Sequence, residues 1–245
     1  MKLRPLFYLI EPSTGVVKKF LSCTKNVQMY FFDINNILFE FLGVKMSHLE
    51  FYATITGLVA VILSVRENVW SWMLGLLNVV LAFMMFYQIQ LYPDMFLQIF
   101  FFITNIIGFW QWKFPKEQEA NIKNELKISQ LSLQQFTIYS LTGMVCTFLL
   151  GTFAKNLSEL IPQLFTKPSA FPYMDSFTTV MSIFATFLLI KKKVEAWWMW
   201  LAIDIISTYM YFVKEVKLYS LLYAIFCIIA LFGAVNWTKE YKKSM

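Results

Sequence analysis

Seven long apolar segments, at about 48–64, 70–88, 93–112, 136–153, 174–190, 197–213 and 218–237, dominate a chain of 245 residues. Each is close to the ~20 residues an α-helix needs to cross the hydrocarbon core of a bilayer. Charged or helix-ending residues punctuate them: Arg66 and Glu67, Pro93 and Asp94, Lys113 and Pro115, Lys191 to Lys193, Lys214 and Glu215. Composition excludes a water-soluble alternative. Charged residues make up 15% and hydrophobic ones 58%, where an ordinary soluble domain carries about 25% charge. The chain reads as an all-α polytopic membrane protein with seven transmembrane helices.

An arm, residues 1–47, precedes the first span. Val16, Val17, Phe20, Leu21, Val27, Tyr30, Phe31, Ile34, Ile37 and Leu38 mark an amphipathic helix over 15–42, ended by Gly43. Such a helix lies in the membrane interface. Lys2, Arg4, Lys18, Lys19, Lys25 and Lys45 are spread through the arm, with no apolar core and cleavage site of a secretory signal.

The chain repeats itself at a step of about 126 residues. Trp72-Met73 recurs as Trp198-Met199, Leu91-Tyr92 as Leu218-Tyr219, and Gly108-x-x-x-Trp112 as Gly233-x-x-x-Trp237. The expected layout is a first three-helix repeat (48–112) and a linker (113–172) holding the fourth span (136–153). A second three-helix repeat (173–237) and a basic tail (238–245) follow. The single middle crossing makes the two repeats parallel, and sites in such proteins lie where repeats meet. Tyr92 and Tyr219 fall at matching hairpins, and Gly108 and Gly233 permit close helix approach. Eleven lysines and arginines lie on the side of the loops after spans one, three and five and the C-terminus, against five near a span on the other. The positive-inside rule puts the N-terminus outside and the C-terminus in the cytoplasm. The net charge of +6 is spread over loops, which suits anionic lipid rather than nucleic acid.

No phosphate-binding loop, HExxH pair or nucleophile elbow is present, and the one histidine is His48. Cys23, Cys146 and Cys227 have no metal-ligand spacing. The sequence therefore predicts no enzyme and no cofactor. Polar groups at membrane depth are the candidates for function. Gln98 and Asn105 are seven apart on one face, with Phe101 between them; Asn78 and Gln88 lie in the second span. Each amide has a structural alternative, a helix–helix hydrogen bond. Asp204 lies at the middle of the sixth span with no basic residue at mid-depth. It is protonated, or bonded by amides, or paired with a cationic ligand. Trp197, Trp200, Asp204, Thr208 and Tyr211 form one stripe. Trp197, Trp198 and Trp237, near span ends, also suit an interfacial aromatic belt. Aromatic faces, an acid and amides suit a flat, cationic, hydroxyl-bearing ligand.

The stretches GLLNVVLAFMMFYQIQLY (75–92), LQIFFFITNIIGFWQW (97–112), FPYMDSFTTVMSIFATFLLIKKKVEAWWMW (171–200) and LFGAVNW (231–237) resemble the PnuC family of nicotinamide riboside transporters. The resemblance covers about 48–240. It implies a bacterial inner-membrane facilitator of SWEET-like architecture, a homotrimer with one pathway per protomer. Uptake of nicotinamide riboside runs down its gradient, and intracellular phosphorylation then feeds NAD synthesis. It implies binding by Gln98, Asn105, Asn78 and the tryptophan-rich start of the sixth span. An amide is expected at the position of Asp204, so the acid is a departure. A uniporter is the expected mechanism, because Asp204 is the sole carboxylate at depth; proton coupling is the alternative. A thiamine or riboflavin carrier and a seven-helix receptor are the competing functions.

Overall fold

A computed structural model describes residues 31–41, 43–88, 92–121, 124–160, 171–215 and 217–243. Most of the amphipathic helix expected over 15–42 lies outside the described residues. Phe31 is still helical, but the described end from Phe32 onward is not. Ile37–Phe41 (β1) pairs antiparallel with Val44–Ser47 (β2). Gly43 makes the turn at φ 77°, a left-handed value that costs glycine nothing. Ile34, Ile37 and Leu38 have helical spacing, but Ile37, Phe39 and Phe41 also alternate with period two. The second strand, four residues long, decides between the two readings by supplying a ladder.

Seven helices follow: α1 His48–Val65, α2 Trp70–Gln88, α3 Tyr92–Lys113, α4 Leu133–Leu160, α5 Pro172–Ile190, α6 Glu195–Val213 and α7 Lys217–Lys243. Ser47 caps α1 through a reciprocal pair: Ser47 Oγ accepts from Glu50 N at 3.2 Å, and Glu50 Oε2 accepts from Ser47 N at 2.8 Å. Such caps are worth ~1 kcal/mol. Pro172 opens α5, where a missing N–H costs nothing. The helix limits follow the apolar segments closely, except that α4 and α7 run on. Hydropathy marks where lipid ends, and the polar residues of 154–160 and 238–243 still favour helix. The basic tail is thus mostly the last turns of α7.

Six of the seven helices are long and apolar enough to cross a membrane. α6 falls outside that set because Trp197, Trp198, Trp200, Asp204 and Tyr209 lower its hydropathy. Within the bundle α1 packs on α2 and α2 on α3; α5 packs on α6 and α6 on α7; α4 lies against α5. Smaller contacts, α1 with α7 and α3 with α5, tie the two triplets together. α4 leaves Phe136, Leu141, Met144, Val145, Phe148 and Leu149 exposed, an apolar face too large for water.

The largest buried cluster joins both triplets. Trp72 meets Trp112 edge-on at 5.2 Å, Trp112 meets Trp237 at 6.0 Å, and Trp237 meets Trp197 at 5.5 Å. A Cβ on Gly108 would sit 2.6 Å from the ring of Trp72, and one on Gly233 would enter the ring of Trp197. The sequence register matched Trp72 with Trp198. In the fold Trp197 takes the place over the glycine, while Trp198 is 50% exposed. The interfacial-belt reading therefore holds for neither Trp197 nor Trp237, which are both buried.

The connection before α4 is strapped to the α5–α6 turn. Ser129 N donates to Lys192 O at 3.0 Å, Val194 N to Ser129 O at 3.1 Å, and Lys193 Nζ to Gln130 O at 3.0 Å. Burial holds the Lys193 ammonium below the ordinary lysine range, with Glu195 acting in the opposite direction. Glu195 Oε1 accepts from Leu131 N at 3.0 Å.

Candidate functional site

Three amides of the first triplet, Asn78, Gln98 and Asn105, lie on its α2 and α3 helices. Asn78 projects from α2 towards α1, where its Nδ2 donates to Ala53 O at 2.6 Å. Gly57 lies opposite, and a Cβ there would come to 3.0 Å of the same nitrogen. Asn105 Nδ2 donates to Phe101 O, one turn back on α3, at 2.8 Å. Its Oδ1 occupies the place a Cβ on Gly75 would need. Gly75 therefore makes room for this amide between α2 and α3. Gln98 is half-buried and lines a recess of about 180 Å³ with Val79, Phe83, Met84 and Phe102. Phe101 meets Phe100 edge-on at 5.4 Å.

Gln88 stands apart from this group, exposed at the end of α2. Its Oε1 accepts from Ile34 N at 3.0 Å, and its Nε2 donates to Phe32 O at 2.8 Å. It ties the chain before β1 to α2. Gln88→Ala is expected to quicken limited proteolysis near residues 32–36 while leaving ligand affinity unchanged; a matching loss of affinity would return Gln88 to the binding set.

The α6 stripe belongs to the second triplet. Trp197 is buried against Trp237 and Gly233, with its Nε1 unbonded among the described residues. Trp200 is half-buried and packs on the cluster of Met181, Ala185 and Ile203. Asp204 is 5% exposed, and among the described residues it joins no ion pair. Thr208 Oγ1 donates to Asp204 O at 2.7 Å and lies 3.9 Å from Cys227 Sγ on α7. Ser220 Oγ donates to Thr208 O at 3.0 Å. Tyr211 stacks on Tyr219 at 5.5 Å and on Tyr223 at 5.3 Å. Asp204, Thr208 and Tyr211 thus share a polar and aromatic seam with α7. Trp197 belongs instead to the tryptophan cluster at the other end of the helix.

Sequence reasoning did not find the partly buried pair of Lys192 and Glu67. Lys192 Nζ lies 2.9 Å from Glu67 Oε2, and the lysine side chain is 3% exposed. Lys191 to Lys193 read as loop charges in the sequence. A signal was available, since Glu67 and Lys192 are 125 positions apart, the same step that separates Trp112 from Trp237.

Seven packed helices, six of them able to span lipid, with a buried acid and amides between them, make this a multi-pass membrane protein. A family model described as nicotinamide mononucleotide transporter matches residues 47–239, and the chain belongs to that family. It is 34% identical over 236 residues to the nicotinamide riboside transporter PnuC of Escherichia coli K12, covering 88% of this chain and 97% of that one. It is 23% identical over 188 residues to the riboflavin/roseoflavin transporter RibM of Streptomyces davaonensis, covering 77% and 83%. The crystal structure of the vitamin B3 transporter PnuC shares the fold at a TM-score of 0.60 and 22% identity, over 96% of this chain and 95% of that one.

Proposed function

We propose that this protein carries nicotinamide riboside across a bacterial plasma membrane by facilitated diffusion, supplying NAD synthesis after intracellular phosphorylation. The observation that carries the reading is the similarity to the E. coli transporter over nearly the whole of both chains. All seven helices cross the membrane in a 3+1+3 arrangement of parallel repeats. Supporting this, buried counterparts recur at one step: Trp72 and Trp197 over Gly108 and Gly233, Met85 and Met210, Trp112 and Trp237. The lysine-rich face is cytoplasmic by the positive-inside rule, and the exposed face of α4 meets lipid or a neighbouring protomer of a homotrimer.

In this reading the riboside lies between the triplets. Gln98 and Asn105 meet its carboxamide and hydroxyls, with Asn78 fixing the α1–α2 wall. Trp200 and Phe101 offer ring faces to the pyridinium, Asp204 balances its charge, and Thr208 and Tyr211 line the approach. Trp197 supports Trp200 from the tryptophan cluster. Gln98→Ala or Asn105→Ala is expected to weaken binding about 2- to 13-fold, the equivalent of ~0.5–1.5 kcal/mol for one hydrogen bond. Isothermal titration beside thermal unfolding checks it: a lower melting temperature with unchanged affinity assigns the amide to helix packing.

The test of the whole reading is uptake of labelled nicotinamide riboside into liposomes holding the purified protein. With the membrane potential clamped at zero, uniport of the cationic riboside predicts equilibration without accumulation, unchanged by a proton ionophore. A second reading, riboflavin transport, has the RibM similarity behind it. Competition by unlabelled riboflavin, with none by the riboside, would replace the first reading with the second.

A further inference from the structure

Three contacts link the triplets at the lysine-rich face, and they are reciprocal. Trp112 Nε1, at the end of α3, donates to Leu189 O and Ile190 O, the last carbonyls of α5, at 3.3 and 3.1 Å. Trp237 Nε1, near the end of α7, donates to Val65 O, the last residue of α1, at 3.2 Å. Trp237 follows Trp112 by the same step by which Ile190 follows Val65. Each indole therefore caps the first helix of the opposite triplet, satisfying a terminal carbonyl that its own helix cannot. Between the two caps, Glu67 and Lys192 occupy the next pair of counterpart positions, and they bond to each other. Both hold left-handed backbone, at φ 56° and 47°, which turns the chain sharply after α1 and α5. Lys192 Nζ also lies 4.8 Å from the ring of Trp112.

We propose that these contacts form the gate that closes the pathway at the lysine-rich face, and that they part as a unit when that face opens. This rests on the transport reading above. The bonding inventory suits a two-state device. The closed arrangement keeps three indole–carbonyl contacts, made by two N–H donors, but leaves the N–H groups of Trp72 and Trp197 buried and unbonded among the described residues. Parting the triplets exposes the carbonyls of Val65, Leu189 and Ile190 and two donors to water and gives two previously unbonded N–H groups a partner. The loss on one side is offset on the other. A cavity of about 580 Å³, lined by Arg66, Glu67, Trp112, Lys113 and Lys192, already lies beside the charge pair. The Glu67 side chain is 32% exposed, so one of the two ions that must separate is already open to solvent, which lowers the cost of separating them.

The test uses the full chain with its native cysteines replaced by alanine and one reporter, Ser71→Cys, at a buried position of α2 beside Trp72. A membrane-impermeant maleimide applied from the lysine-rich side reads opening, without any ligand. Glu67→Gln with Lys192→Met, and separately Trp112→Phe with Trp237→Phe, are expected to raise the labelling rate at least fivefold. The charge swap Glu67→Lys with Lys192→Glu is expected to bring it back towards the parent rate. A lower melting temperature with unchanged labelling in both variants would make the contacts a fixed strut and overturn the gate. If a tryptophan variant does not fold, the charge-pair variant and its swap decide alone. Liposome uptake by the parent is measured in parallel. Should the parent carry no riboside, the transport reading fails, while labelling still decides whether the triplets part here.

Discussion

Trp237→Ala is expected to destabilise the folded protein by about 3–5 kcal/mol, the range for deleting a fully buried large aromatic. Trp237 is 0% exposed, sits between Trp112 and Trp197, and supplies the N–H that caps α1. In lipid the loss comes from packing and the stranded carbonyl rather than from water avoidance. Trp110→Ala is the control. That ring is 65% exposed and touches Phe114 at 4.6 Å, so a change within about 0.5 kcal/mol is expected. Denaturation midpoints of both variants in one detergent give the comparison. Equal shifts would mean that the tryptophan cluster does not hold the triplets together.

The second large effect falls on the ligand. Asp204→Asn is expected to leave folding intact, since the amide keeps the volume and sheds a buried charge. Binding of the cationic riboside should weaken by about 5- to 150-fold, corresponding to ~1–3 kcal/mol for a contact to a charged group. The neutral dihydro form of the ligand, whose ring carries no charge, should lose little. Asp204 is 5% exposed and joins no ion pair among the described residues, which is why a cationic partner is assigned to it. Equal losses for charged and neutral ligands, or none for either, would refute that pairing.

The helices were legible because lipid imposes a simple rule. Each crossing must be long, apolar and self-bonded, and the residue limits of α2 and the end of α5 follow from that alone. What hydropathy does not carry is direction around a helix already apolar on every side. Trp197 and Trp198 are chemically identical neighbours, yet one is buried over Gly233 and the other half-exposed. The amides show the same ambiguity. Asn78 and Asn105 have the composition of a polar site, and the structure bonds both to backbone within the first triplet. The strand pair at 37–47 was hidden for a different reason: helical spacing in Ile34, Ile37 and Leu38 competes with an alternation whose partner strand is too short to stand out. Glu67 and Lys192 looked like loop charges because their partnership depends on a fold separation of 125 residues.

The crossed indole caps also set an order of events for a chain made from its N-terminus. When α1 enters the membrane, the indole N–H that will cap the carbonyl of Val65 still lies 172 residues further on. Trp112 is made before the α5 carbonyls it will bond, by 77 and 78 residues. Each triplet can therefore assemble its own helix pairs during synthesis, but the seam between them stays unsealed until α7 is in place.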